Sequence, residues 1–201
     1  MQIVYIVYEV FYGGYRMANN TFTQRAADHI KNNIDLIAQH DFNNLYQSLI
    51  KSGSFFVVGQ VSEMTRILID SGINPLLYLT YVPNGYCYKN EKIDYVRIPG
   101  HIRKIEGNSF TGCKSLVKVD VDSGPTMLDY QAFLGCRSLK TVNLPVSIQV
   151  VQREVFANCD SLTNINYAGT LSQWSKVRFV AGWNENSKIK TVTCSDGVRE
   201  Y

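Results

Sequence analysis

From residue 93 onward the apolar positions of the chain recur at a fixed interval of 23 residues. Phe110, Phe133 and Phe156 open the series, followed by Cys113, Cys136 and Cys159, then Leu116, Leu139 and Leu162. Val119, Val142 and Ile165 come next, and after them Val121, Leu144 and Tyr167. A partial earlier copy supplies Ile93, Val96 and Ile98 in the same register. Within each unit the run Leu-x-x-Val-x-Val (LVKVDV, LKTVNL, LTNINY) predicts a short strand with alternate side chains buried. Equivalent slots of successive units stack, so each unit covers its apolar face only against its neighbours, which predicts a solenoid. The polar strand positions then form two columns, Tyr95, Lys118, Thr141, Asn164 and Arg97, Asp120, Asn143, Asn166. Pro99 and Pro145 end two of the strands, where the missing backbone donor costs little.

The period ahead of the repeats is helical. Ala26, Ile30, Ile34 and Ile37 mark one face of a first helix capped by Thr21 or Thr23, and Asp41 opens a second carrying Leu45, Leu49 and Ile50 to Ser52-Gly53. A third, over about residues 56–71, carries Val61, Met64, Ile67 and Leu68 and closes on Gly72. Asn74-Pro75 breaks the run, and a strand is expected over Leu76–Val82 before a turn at Pro83-Asn84-Gly85. Residues 17–92 therefore read as a helical unit covering the N-terminal end of the array, since an uncapped end exposes a whole apolar cross-section. After Tyr167 the period stops. Residues 168–201 are expected to cap the other end, with Trp174 and Trp183 as a lid and a last strand over Ile189–Cys194. A stacking platform for sugars or bases is the alternative use of the tryptophans.

Residues 1–16 differ in character from the rest of the chain, being aromatic, alternating and closed by Gly13-Gly14-Tyr15-Arg16 before a second methionine, Met17. Glycine codons here can carry a ribosome-binding sequence. One reading therefore starts translation at Met17 and makes residues 1–16 a leader. The other is an extra N-terminal strand, which needs an edge to pair with if it is not to aggregate.

The repeat residues resemble the BspA-type leucine-rich repeats, whose pattern is roughly I-x-I-P-x-x-V-x-x-I-x-x-x-A-F-x-x-C-x-x-L. It stands here as Val96–Leu116 (VRIPGHIRKIEGNSFTGCKSL), as a copy with Gln131-Ala132-Phe133, and as Leu144–Leu162 (LPVSIQVVQREVFANCDSL). The tail YAGTLSQWSKV…W…VTCSDG is similar to the terminal segment of bacterial members. The resemblance covers about residues 93–197 and implies an α+β chain. Its centre is a short leucine-rich-repeat solenoid of three full repeats plus a partial one (residues 93–167), between a helical cap and a Trp-containing cap. It also implies protein or surface binding, often in secreted adhesins of gut and oral bacteria. A helical start fused to so few repeats suits a phage or prophage gene.

Charge and chemistry narrow the function further. A net charge of +3 without like-charged runs gives no footprint for nucleic acid. No stretch has the roughly 20 apolar residues of a membrane helix, so no membrane insertion is expected, and the opening residues read poorly as a secretion signal. That favours a cytoplasmic setting, with virion or cell surface as the other possibility. Three of the five cysteines share one repeat slot and read as buried thiols acting as small hydrophobes. Cys87 and Cys194 stand outside it and are open to pairing.

No Walker, Rossmann, GxSxG or HExxH motif occurs, and His29, His40 and His101 are scattered, so no enzyme, cofactor or metal site is expected. Arg97 is expected to pair with Asp120 across strands. The candidate partner-binding residues are Tyr95, Arg97, Lys118, Asp120, Thr141, Asn143, Asn164 and Asn166, facing a protein or a glycan. An alternative is a structural virion or surface-attached, adhesin-like subunit, which predicts self-association.

Overall fold

A computed structural model describes residues 57–70 and 72–201. The expected first and second helices, residues 1–16, His29 and His40 lie outside the described residues. The third helix is present as α1, Val57–Asp70. Val61, Met64 and Leu68, spaced to share one helical face, are buried in the same core as Leu76, Leu79, Val82 and Tyr86. Ser62 donates to the Tyr88 carbonyl at 2.8 Å, fastening the flank of the helix to the first repeat turn.

The strand expected over Leu76–Val82 is not formed. Asn74 caps a 3-10 turn at Pro75–Leu77, its side chain accepting from the Leu76 N–H, and proline at the first position suits a helical start. Val82 alone joins a sheet, as a bridge to Ile105.

Beyond this point the chain winds as a solenoid. Strands β1 (Tyr95–Ile98), β2 (Lys118–Val121), β4 (Thr141–Leu144), β6 (Asn164–Tyr167) and β8 (Thr191–Cys194) run parallel in one sheet. A final strand β9 (Gly197–Glu200) returns antiparallel to β8 and makes the sheet six-stranded. On another side, β3 (Met127–Leu128), β5 (Val150–Val151) and β7 (Arg178–Phe179) form a smaller parallel sheet, which the bridges Val82 to Ile105 and Ile105 to Leu128 continue. Alternation does what the pattern dictates: Val119, Val121, Val142, Leu144, Ile165 and Val192 point into the core.

The Phe-x-x-Cys segments make the third side. The Phe110, Phe133 and Phe156 rings stack, and each Phe N–H donates to a carbonyl of the next turn. The cysteines are more than small hydrophobes. Cys113, Cys136 and Cys159 each donate Sγ–H to a carbonyl 26 residues earlier, those of Cys87, Phe110 and Phe133, at 2.9, 3.1 and 3.2 Å. Cys87 itself occupies the phenylalanine slot of the first turn, its N–H donating to the Ser109 carbonyl as Phe110 donates to that of Ala132. All five cysteines are free, with Cys87 in the first turn and Cys194 on β8, so the open question of their pairing closes against a bond.

The period does not stop at Tyr167; it stretches. Left-handed residues mark two positions of every turn, Asn108, Gln131 and Glu154 at one and Gly112, Gly135 and Asn158 at the other. Gly182 and Asn186 repeat that pair 28 residues after Glu154 and Asn158. The extra length is taken up by a one-turn helix α2, Leu171–Trp174, inserted at a corner. Thr170 and Gln173 close it with a reciprocal capping box. Both tryptophans pack inward: Trp174 is fully buried between Tyr167 and Phe179, and Trp183 meets Phe156 edge-on.

Candidate functional site

The outward side of the large sheet carries every residue singled out as a binding candidate. Register places Tyr95 beside Lys118 and Lys118 beside Thr141, with Arg97, Asp120 and Asn143 forming the next column. Asn143 aligns with Asn166, and both columns run on to Thr191 and Thr193 of β8. Those two threonines escape the sequence reading because β8 lies 27 residues beyond β6. Their alternation, TVTC after TVNL and NINY, is the available signal.

All of these side chains except Thr141 and Arg97 are joined in one hydrogen-bonded row. Asp120 accepts from the Tyr95 hydroxyl at 2.9 Å, from Lys118 Nζ at 2.9 Å, and from Asn143 Nδ2. Asn166 Nδ2 donates to Asn143 Oδ1 at 2.7 Å, and Asn164 Nδ2 donates to Asn166 Oδ1 at 2.8 Å. The Thr191 and Thr193 hydroxyls donate to Asn164 Oδ1 at 2.8 and 3.1 Å. An ionised carboxylate can only accept, so Asp120 dictates which way each amide turns.

Arg97 does not pair with Asp120. Although the two sit side by side in register, the guanidinium reaches on to Asp122 at 3.1 Å, leaving Asp120 to Lys118 and Tyr95. Lys118 also lies over the Tyr95 ring, 5.4 Å from its centre.

The electrostatics follow the contacts. Burial raises the Asp120 carboxyl, but hydrogen bonds from Lys118, Asn143 and Tyr95 outweigh it and hold the group below its ordinary range. The bond to Asp120 raises Tyr95 and Lys118 above theirs. Burial pushes the Cys87 and Cys136 thiols well up and Cys159 up to about 12, which keeps these three thiols protonated at neutral pH.

His101 ties the sheet corner to the 3-10 turn through a 2.9 Å contact between Nε2 and the Leu76 carbonyl. Among the described residues no group of three or more His, Cys, Asp or Glu side chains is placed to hold a metal ion. Nor, among them, is any helix long and apolar enough to cross a membrane.

A groove of about 390 Å³ lies at the edge of the sheet, between the end of α1 and β1. Ile69, Ile73, Leu76 and Ile93 form its apolar floor and walls, and Tyr95 and Arg97 its polar rim.

Comparison with known proteins adds a family match. The model of the BspA type leucine rich repeat region matches residues 82–200 in six copies, more than half of the chain. No protein of curated function matches. Among solved structures, a leucine rich cell surface protein from Faecalibacterium prausnitzii A2-165 is similar at 22% identity, with a TM-score of 0.28. The similarity covers 45% of this chain and 36% of that one.

Proposed function

Because this chain belongs to the BspA-type leucine-rich-repeat family, we propose that it is a non-catalytic binding scaffold whose outward sheet face meets a protein partner. The observation that carries this reading is the continuous row from Tyr95 and Lys118 to Thr191 and Thr193. It holds Tyr95, Lys118, Asp120, Asn143, Asn164, Asn166, Thr191 and Thr193 in fixed positions before any partner arrives, which lowers the ordering cost of binding.

The row also sets what it asks for. Each asparagine Oδ1 is engaged, while each Nδ2 keeps one hydrogen to give. A complementary surface presents acceptors spaced by the strand interval of about 4.8 Å. Backbone carbonyls of a partner loop fit this, and glycan hydroxyls are the lesser match. A cytoplasmic role in a bacterium or its phage accords with the sequence.

The test is affinity capture from bacterial lysate with the wild-type chain and an Asp120→Ala/Asn143→Ala/Asn166→Ala variant as paired baits. A protein held by the first and lost from the second, with both baits folded, is the expected result. Equal retention by both removes the face from the reading. Bait that captures only itself favours a structural, self-assembling subunit.

A further inference from the structure

On the smaller sheet Leu128 and Val151 turn into the core, so Met127, level with Val150, faces outward, as does Gln152 one residue past β5. Met127 and Gln152 are both half-buried. The Gln152 backbone N–H donates to the Leu128 carbonyl at 3.0 Å, which fixes the root of this side chain against β3. From there the amide reaches back along the sheet, and Gln152 Nε2 donates to Met127 Sδ at 3.6 Å. A thioether is a weak acceptor, so the contact adds little to the fold as it stands. Met64, by contrast, is 2% exposed and belongs to the core face of α1.

We infer that Met127 is a modification site for peroxide, and that Gln152 is the receptor for its sulfoxide. In the step a sulfur lone pair of Met127 attacks one oxygen of hydrogen peroxide and the O–O bond breaks. The sulfur is oxidised by two electrons and keeps that oxygen, while the other oxygen is reduced and leaves as water with both protons. Access selects Met127 over Met64. A sulfoxide oxygen accepts hydrogen bonds far better than the sulfur it replaces. The rotatable bonds of the methionine side chain let that oxygen take the Gln152 N–H in place of Sδ. Methionine oxidation disrupts a packed site because a polar group arrives without a partner. Here the donor stands ready, so the modified chain keeps its fold, and the step is one that sulfoxide reductases reverse. The smaller sheet lies apart from the partner face, so either reading can fail without the other.

Treatment of the full chain with hydrogen peroxide, followed by peptide mass spectrometry, tests the selection. Met127 is expected to gain one oxygen about tenfold faster than Met64. A Met127 rate no greater than that of Met64 overturns the proposal. Thermal melting before and after oxidation tests the receptor. Gln152→Glu keeps the shape of the side chain and removes the donor, and Met127→Leu gives the loss that comes from the other methionines. Oxidised wild type is expected to lose no more than oxidised Met127→Leu. Oxidised Gln152→Glu is expected to lose about 2–4 °C more, the shift one hydrogen bond makes in a chain of this size. Gln152→Leu repeats the comparison if the added charge unsettles the sheet. Wild type and Gln152 variants that lose alike on oxidation leave the sulfoxide without a receptor and overturn the proposal.

Discussion

The rings of Phe110 and Phe133 lie face to face, their centres 5.2 Å apart and their planes within 2° of parallel. Phe156 continues the stack at 5.6 Å, and Tyr86 and Trp183 close its two ends edge-on at 69° and 81°. The end residues reach the column from one position earlier in their turns, since Cys87 and Asn184 hold the phenylalanine slots there. A stack closed by edge contacts satisfies the ring quadrupoles at both ends.

Removing the middle ring should therefore cost more than removing an end. Phe133→Ala is expected to lower stability by about 3–5 kcal/mol, the range for emptying a buried aromatic site. Phe133→Leu should cost less, because it keeps much of the volume. Urea denaturation followed by circular dichroism measures both, with an unchanged slope indicating that the folded state survives.

The Asp120 carboxyl is held below its ordinary value of 3.8 by its three hydrogen-bond donors. A depressed pKa contributes stability that is present above the unfolded pKa, about 3.9, and is lost as pH falls through the folded one. Wild type should thus lose stability relative to Asp120→Asn below about pH 4. Tyr95→Phe and Asn143→Ala should each move the Asp120 titration upward. Carboxyl carbon NMR follows the shift directly.

The thiols work in the opposite sense. Burial raises Cys159 from 9.0 to about 12, and Cys87 and Cys136 rise from the same cause. A raised folded pKa gives stability that is full below the unfolded value and disappears as pH climbs toward the folded one. Stability should fall between pH 9.0 and about 12, and less steeply in Cys159→Ala. At neutral pH a thiol reagent should modify Cys113, Cys136 and Cys159 only as fast as the protein opens, since all are fully buried.

Trp174 is fully buried and donates Nε1–H to the Tyr201 hydroxyl at 2.7 Å. Tyr201→Phe leaves that donor unmatched, at a cost of about 1–3 kcal/mol. Trp174 emission should shift as its partner is lost. An unchanged spectrum and melting point would show that the hydroxyl contributes nothing.

The repeat itself is readable because a fixed spacing with five apolar columns admits few folds, and the strand registers follow it from Tyr95 to Tyr167. The eight candidate residues fall into their columns for the same reason. What escapes is whatever breaks the spacing or uses another residue type. Thr191 and Thr193 lie beyond a stretched turn, although Thr170 and Gln173 announce the inserted helix. Leu76–Val82 has strand composition, but Asn74-Pro75 starts a 3-10 turn and local geometry prevails. The partner of Arg97 is not the expected one because a long guanidinium chooses among carboxylates by reach, and Asp122 is as close in space as Asp120 is in register.

The row across the sheet has a sense as well as a position. From Thr191 and Thr193 through Asn164, Asn166 and Asn143, every proton is handed toward Asp120. No single amide can turn around without leaving two neighbours donor to donor or acceptor to acceptor, so the row reverses as a whole or not at all. A ligand with two similar ends would meet unlike surfaces on this face and settle in one orientation, the one a lone carboxylate on β2 dictates.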